Sequence, residues 1–249
     1  MNDPIHQFQI NNIFRVGTIG GHEIVFTNSA MYMFIVVLAI TALLLASTMR
    51  RALVPSRLQS AAEISYEFVA SMLRSSAGPE GMRFFPFVFT LFAFVLLSNL
   101  IGLIPYSFTV TSHIIVTAAL SALVFCTVVG YGFWKNGLSF FNLFVPKGVP
   151  IYIQPMIVLI EVISFLSRPL SHSVRLFANM LAGHITLQVF AGFITLLGTF
   201  GVMGWLGAVL PFAFVVMLIA LDLLVACLQA YVFAILTCIY LNDAIHPGH

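Results

Sequence analysis

The sequence predicts an all-α integral membrane protein with about five membrane helices and one interfacial amphipathic helix. Hydrophobic residues make up 61% of the 249 residues and charged residues only 7%, and the mean hydropathy is +1.07. A soluble domain needs about a quarter of its residues charged to cover its surface. The ten Lys and Arg are scattered and the net charge is only +2, which argues against a nucleic-acid partner. We therefore expect one membrane domain spanning residues 1–249, with lipid as its main solvent.

The first membrane helix is predicted at residues 29–47, an apolar run that ends just before Arg50 and Arg51. A spanning helix needs about 20 apolar residues, which this run supplies. Residues 1–28 are expected to form an extramembrane segment. They have no basic region followed by an apolar core and a cleavage site, so we expect no signal peptide and a mature chain that begins at its first residue.

Residues 55–77 are predicted to form an amphipathic helix on the membrane surface. Pro55 precedes it, and the SSAGPEG run supplies turn residues at its end. One stripe is apolar: Leu58, Ala61, Phe68 and Met72. The opposite stripe is polar: Ser60, Glu63, Glu67, Ser71 and Arg74.

The second and third membrane helices are predicted at residues 84–104 and from about 114 to Trp134. A short polar link separates them, formed by Thr109, Thr111, Ser112 and His113. Because this link is short, the two spans are expected to form a helical hairpin.

The last two apolar segments, residues 151–203 and 205–241, are too long for perpendicular spans. A helix of about 37 residues is about 55 Å long, whereas the hydrocarbon core is about 30 Å thick. The final segment must either bend back or cross at a steep tilt. It contains no turn-forming cluster, only Pro211 near its start, so we favour a steeply tilted single helix.

The orientation follows from basic residues near the ends of the spans, which favour the cytoplasmic side. They flank the first and third connections: Arg50, Arg51, Arg57, Arg74, Arg83, Lys135 and Lys147. With five spans, the N-terminus is predicted outside and the C-terminus inside.

The last two segments contain ionisable residues, which are costly in lipid and therefore suggest a function. They are Glu161, Arg168, Arg175, His184 and Asp222, accompanied by the polar residues Asn179 and Gln229. Arg168 precedes Pro169 and is interpreted as lying at a helix break, where its side chain can reach water. Arg175 has no charged residue three or four positions away, so its partner must be another helix, water or another protein.

Helical spacing separates these residues into faces. Asn179 lies one turn from Arg175 on the same face, whereas His184 is turned by about 180°. Glu161 precedes Arg175 by about 21 Å if the helix is continuous, which Pro169 makes doubtful. Asp222 and Gln229 are two turns apart on one stripe of the last segment.

A proton pathway accounts best for His184 and Asp222. The unperturbed histidine pKa of about 6.5 suits proton exchange, although a packed histidine and a neutral packed acid remain the alternatives. The other histidines offer no second haem ligand at a matching depth. The three cysteines have no CxxC spacing and are interpreted as packed or lipid-facing thiols. No cofactor or metal is therefore expected.

Two other functions fit intramembrane charges. A secondary transporter should show paired Gly- or Pro-broken helices, but only one break is evident, at Pro169. A scaffold subunit without a transport role would tolerate Arg175→Leu, and the cost of that arginine in lipid argues against it.

Three runs resemble the a subunit of the F-type ATP synthase, the stator half of its proton channel. They are LSNLIGLIPYSFTVTSHIIVT, ISFLSRPLSHSVRLFANMLAGH and LQAYVFAILTCIYL. The resemblance covers most of the chain, and the second run is highly specific. It also implies near-horizontal final helices, in agreement with their length.

The resemblance implies roles for the same residues. Arg175 would face the rotating ring of c subunits, with Asn179 and Gln229 as neighbours. Glu161, His184 and Asp222 would line two aqueous half-channels within residues 151–241. The family commonly pairs one His with one Glu at the positions of His184 and Asp222, so Asp222 departs from the pattern and leaves the detailed relay open.

The resemblance also implies the setting of the chain. Its partners would be the c ring, the peripheral-stalk b subunits, the rest of the ATP synthase and membrane lipid, with protons as the transported ion. The subunit itself would not be catalytic. A bacterial inner membrane is expected, with the mitochondrial inner membrane as the alternative.

Overall fold

The computed structural model describes residues 12–19, 22–49, 55–104, 107–144 and 152–246. Two strands come first: β1 (Asn12–Ile19) and β2 (His22–Thr27). Six α-helices follow: α1 (Asn28–Met49), α2 (Arg57–Gly81), α3 (Phe85–Gly102), α4 (Ile114–Asn136), α5 (Gln154–Gly198) and α6 (Gly201–Ile245). Short 3-10 segments lie at Met82–Phe84, Val110–Ser112 and Gly137–Phe144. Five helical stretches are long and apolar enough to cross a membrane, which confirms the predicted fold class.

Helices α1, α3 and α4 lie within a few residues of the three predicted spans. Helix α2 confirms the helix predicted at residues 55–77 and begins at Ser56, whose Oγ accepts a hydrogen bond from the Gln59 backbone N–H at 3.3 Å. Such a cap satisfies a donor that the first helical turn leaves open. Near its end, Gly78 has φ 67°, a conformation that glycine adopts without a side-chain clash, and the helix kinks there before Pro79.

The faces of α2 are more mixed than the periodicity suggested. Met72 is buried, as expected of the apolar stripe, but Leu58 is 56% exposed. Phe68 is partly exposed and packs its ring against Phe92 and Tyr231. The apolar stripe is therefore covered by protein only toward the C-terminal half of the helix.

The N-terminal segment contains an antiparallel hairpin that the sequence analysis missed. Strands β1 and β2 pair from Asn12 with Thr27 to Ile19 with His22. The signal was present, because two glycines separate two runs containing β-branched and aromatic residues, a pattern typical of hairpins.

Helices α5 and α6 each contain 45 residues, which gives each a length of about 68 Å. Helix α5 continues through Pro169, so the predicted break at Arg168 and Pro169 is wrong. Membrane helices tolerate proline when neighbouring helices contact the affected turn, and here the Ser121 hydroxyl of α4 donates to the Pro169 carbonyl at 2.6 Å. Helix α6 does not bend back on itself, which excludes the hairpin alternative for this segment. Its steep tilt stays a prediction.

The described residues form two compact units. Unit 1 draws on the ranges Met1–Thr41, Phe94–His113 and Leu176–Gln229. Unit 2 draws on the ranges Ala42–Ala93, Ile114–Arg175 and Ala230–His249. The core of unit 1 contains Val36, Leu176 and Ala226, and that of unit 2 contains Val69, Leu73, Phe140 and Phe233. Helices α5 and α6 contribute residues to both units, and the single membrane domain predicted for the whole chain stays a prediction.

Within unit 1, a very short turn joins α5 to α6. Only Thr199 and Phe200 separate the two helices, and Gly201 has φ 75°. A side chain at Gly204 would collide with the Leu197 carbonyl. Glycine is therefore required where the two helices approach each other most closely.

Candidate functional site

Arg175 lies on α5 with its side chain exposed. Within the described part of the chain, no hydrogen bond or ion pair reaches its guanidinium group. Asn179, one turn later on the same helix, is also exposed. An arginine this far inside an apolar helix is costly in lipid, which makes Arg175 a candidate functional charge.

Arg168, seven residues before Arg175, is held by two carboxylates within unit 2. Its Nη1 lies 2.6 Å from Oδ2 of Asp243, near the end of α6, and its Nη2 lies 3.7 Å from Oε1 of Glu161. The rings of Phe165 and Tyr240 lie 5.4 and 5.1 Å from the guanidinium carbon, close enough for cation–π attraction. Arg168 is thus an ion-paired residue inside a continuous helix, which corrects its interpretation as a side chain that reaches water at a helix break.

His172 lies between these two arginines on α5 and is 3% exposed. Its ring packs on Phe233, with ring centroids 3.9 Å apart. Its Nε2 has no hydrogen-bond partner among the described residues. The next residue, Ser173, shares a hydrogen bond with Thr117 of α4 at 3.1 Å. This part of unit 2 is closely packed, and His172 serves there as a packed ring.

His184 and Asp222 lie together in unit 1. His184 is buried, and its Nε2 shares a hydrogen bond with the Thr109 hydroxyl at 3.0 Å. The Asp222 carboxylate packs against Gly183, where an added Cβ would lie 2.7 Å from Oδ1. Asp222 forms no hydrogen bond or ion pair with any described residue. The structure therefore brings Asp222 against the residue next to His184 without a direct hydrogen bond between the two side chains.

A second small polar network lies within unit 1. The Asn99 Nδ2 donates to the Ala226 carbonyl at 3.4 Å, and the Asn99 Oδ1 accepts from the Thr111 hydroxyl at 2.8 Å. Gln229, less than one turn beyond Ala226, is 4% exposed. Asp222 and Gln229 thus both lie on the buried side of α6, as their two-turn spacing predicted.

The link between α3 and α4 carries a further histidine, His113. Its ring stacks on Phe108 with centroids 4.8 Å apart. Its Nε2 is buried without a hydrogen-bond partner in the described residues. Burial lowers the pKa of His113 below its ordinary value, because an imidazolium loses solvation there.

Sequence reasoning missed three polar residues of this region: Asn99, Thr109 and Asp243. Asn99 and Thr109 lie in the quoted run LSNLIGLIPYSFTVTSHIIVT, but no role was assigned to them. Asp243 lies just beyond the last predicted segment, residues 205–241. The signal that could have found it is Arg168, whose charge required an acidic partner.

Comparison with known proteins gives consistent matches along the chain. The family model described as ATP synthase A chain matches residues 30–242. The chain is 69% identical over 249 residues to the ATP synthase subunit a of Nitrobacter winogradskyi, covering 100% of both chains. It is 67% identical over 247 residues to the same subunit of Rhodopseudomonas palustris, covering 99% of both. It is 65% identical over 248 residues to that of Bradyrhizobium diazoefficiens, again covering 99% of both.

Proposed function

The chain belongs to the ATP synthase A chain family, and from this premise we propose how it carries protons through the membrane sector of a bacterial ATP synthase. The proposal rests on Arg175, which is exposed on an apolar helix and lacks an acidic partner within the described part of the chain. Its counter-charge then belongs to another subunit. A ring of c subunits, each carrying one carboxyl group at membrane depth, supplies that charge in the proposal.

Arg175 acts in this proposal as an electrostatic gate. A guanidinium group keeps its proton in any protein environment, so it cannot pass one on. A carboxyl group that comes within about 4–6 Å of it favours the charged form and releases its proton. The same fixed positive charge blocks direct proton passage along α5. Protons then cross only when the partner ring carries its carboxyl groups past Arg175.

The residues on α5 before and after Arg175 form two separate proton routes in this proposal. Glu161 lies 14 residues before it and His184 nine residues after it, which places them about 21 Å and about 14 Å away along a continuous helix. The first route contains Glu161, and the second contains His184 and Asp222. Asn179 and Gln229 are assigned to the neighbourhood of Arg175.

The alternative of a proton-coupled secondary transporter loses its support. That function is expected to use paired broken helices near the midplane, whereas both α5 and α6 continue through their proline residues. The relatives are named ATP synthase subunit a rather than transporters. A scaffold without a transport role gives no reason for an exposed intramembrane arginine.

The chain is a multi-pass protein of a bacterial inner membrane and a component of the membrane sector, with other ATP synthase subunits as its partners. We further propose that the b subunits of the peripheral stalk contact it and that it has no catalytic site of its own. Basic residues near the span ends favour an outside N-terminus and a cytoplasmic C-terminus. The relatives described above are bacterial, which favours that membrane over the mitochondrial one.

Arg175 variants test the gate. Arg175→Ala removes the charge, so we expect ATP synthesis to stop while passive proton leak stays constant or rises. Arg175→Lys keeps a charge without the planar fork, and ATP synthesis should fall severely. Both are measured in energised vesicles as ATP formed and proton conductance, with the exposed Arg83→Ala as control. Wild-type ATP synthesis in the Arg175→Ala vesicles would contradict the gate.

A further inference from the structure

A groove in unit 2 is lined by none of the residues assigned to proton movement. It runs along one stripe of α2, is walled by the last turns of α1, and is closed on one side by Phe89 of α3. Its lining residues are Leu44, Ser47, Thr48, Gln59, Ala62, Glu63, Tyr66, Glu67, Ala70, Arg74 and Phe89. Its volume is about 620 Å³, within the range of about 300–1,000 Å³ typical of ligand sites. We call it the α1–α2 groove.

The α1–α2 groove is elongated. Gln59 and Arg74 are 15 residues apart, so the groove follows about 22 Å of helix. A groove of this length suits an extended amphiphile better than a compact ligand.

The charges in the α1–α2 groove are only partly offset by the protein. Glu63 and Glu67 are one turn apart, where like charges repel. The Gln59 Nε2 donates to Glu63 Oε1 at 2.8 Å, but neither carboxylate forms an ion pair with a described residue. Arg74 follows Glu67 by two turns and is likewise without an ion pair in the described part. The groove thus offers two negative groups and, farther along, one positive group.

The rest of the lining is apolar or small. Ala62 and Ala70 form a low floor, and Leu44 and Phe89 form apolar walls. Helix α1 is long and apolar enough to cross the membrane, and α2 is amphipathic, so the groove lies where lipid head groups meet acyl chains. A long groove lined by both polar and apolar side chains is suited to an amphiphile.

We propose that the α1–α2 groove binds a membrane phospholipid with an ethanolamine head group. The primary ammonium lies between Glu63 and Glu67 and donates hydrogen bonds to both carboxylates. The phosphate lies toward Arg74, whose guanidinium group is suited to phosphate. An acyl chain follows the apolar part of the groove past Ala70 and Phe89. This site is additional to the proton pathway and shares no residue with it.

The test uses the intact ATP synthase in phosphatidylcholine vesicles that contain a trace of photoactivatable phosphatidylethanolamine. Labelled peptides are identified by mass spectrometry. We expect labelling within residues 44–48, 62–74 and 89. Matched probes with a choline or a glycerol head group should label these peptides at least about fivefold less, a difference of about 1 kcal/mol in binding. The trimethylated choline has no N–H to donate, and the glycerol lipid carries a net negative charge.

Variants separate the head-group contacts from general lipid contact. Glu63→Gln with Glu67→Gln should lower phosphatidylethanolamine labelling at least about fivefold, and Arg74→Gln should lower it by a similar factor. Glu80→Gln is the matched control, because Glu80 is an acidic residue of the same helix that pairs with Lys135 at 2.6 Å and does not line the groove. Unchanged ATP synthesis in all variants is expected.

Three results would overturn the proposal. Equal labelling by the ethanolamine and choline probes would mean unspecific lipid contact. Equal labelling of the double variant and the Glu80→Gln control would remove the carboxylates from the site. A cross-link from Tyr66 or Ala70 to another subunit, with no lipid label, would make the groove a protein interface. None of these results bears on Arg175, so the proposed proton function is tested separately.

Discussion

Unit 1 and unit 2 hold their intramembrane ionisable groups in different ways. In unit 2, the Arg168 guanidinium group is 2.6 Å from Asp243 and 3.7 Å from Glu161. In unit 1, His184 is hydrogen-bonded to the neutral hydroxyl of Thr109. Asp222 lies against the backbone of Gly183 and has no ion pair among the described residues.

This difference affects what each group can do with a proton. An ion pair favours the charged form of each partner, because the attraction between them is lost if either becomes neutral. Asp222, which has no ion pair among the described residues, loses no such attraction when it gains or releases a proton. We therefore infer that the Arg168–Asp243 pair mainly holds α5 to the end of α6, whereas His184 and Asp222 exchange protons.

The largest expected effect follows from removing the exchanging groups of unit 1. Asp222→Leu and His184→Leu should each slow ATP-driven proton pumping at least about a hundredfold, within the range of general acid–base contributions. The double variant should pump protons only slightly more slowly than either single variant, because the two groups act in one coupled path. Acidification of inverted vesicles at matched ATPase content measures this, with Thr186→Val as control. Normal pumping in either single variant removes that residue from the pathway.

A smaller effect is expected when the ion-paired cluster of unit 2 loses its cation. Arg168→Met leaves Glu161 and Asp243 without their positive partner, and we expect a loss of about 1–3 kcal/mol in stability, below the range for fully buried pairs because these groups are partly exposed. Adding Asp243→Asn should restore part of the loss. Thermal unfolding of the purified complex measures both. Unchanged stability combined with abolished pumping would show that Arg168 is needed for proton movement rather than for holding the two helices together, and would break the comparison.

A smaller loss of pumping is expected from a substitution that shifts the Asp222 carboxylate without removing it. Gly183→Ala adds a Cβ that would lie 2.7 Å from Asp222 Oδ1, so the carboxylate must shift. We expect pumping to fall about threefold to tenfold with normal assembly, equivalent to about 0.6–1.4 kcal/mol. Gly192→Ala is the matched control, since the same helix offers open space there. Equal pumping in the two variants would show that the contact with Gly183 does not position Asp222.

The smallest effect concerns His113, which lies outside the membrane-spanning segments. Its pKa is lowered by burial in the folded state, so the unfolded chain binds more protons at mildly acidic pH. The contribution of neutral His113 to the free energy of unfolding is therefore complete above the ordinary histidine pKa of about 6.5. It decreases as the pH falls toward the lowered pKa of the folded state. His113→Leu should flatten this part of the pH profile of thermal unfolding between about pH 5 and 7. A profile identical to that of the parent protein would contradict the burial argument.

The sequence predicted the helices well because span length and apolar composition follow directly from the bilayer. It also predicted the common face of Asp222 and Gln229, since a two-turn spacing places them on one stripe. The β1–β2 hairpin is indicated only by the two glycines between runs of β-branched and aromatic residues, and span length gives no signal for it. The break at Pro169 was wrong because packing by α4 outweighs the local preference of proline.

The partners of the site residues were harder to predict. Asp243 is 75 residues from Arg168, and Thr109 is 75 residues from His184. Periodicity relates residues within one helix and gives no distance between helices. For Arg175, the absence of nearby charges in the sequence predicts a partner that is not local, and this stays a prediction.

The two-residue turn between α5 and α6 has a consequence for how the protein is made. Thr199 and Phe200 carry no charge that would anchor the turn in water, and close contact between the helices begins at once, with Trp205 near Gly198 and Phe190 stacked on Phe214 at 5.6 Å. We therefore expect α5 to insert stably only after α6 has left the ribosome, so that the two helices enter as one hairpin. A bulky residue at Gly204 is then expected to reduce the yield of inserted protein rather than the rate at which inserted protein conducts protons.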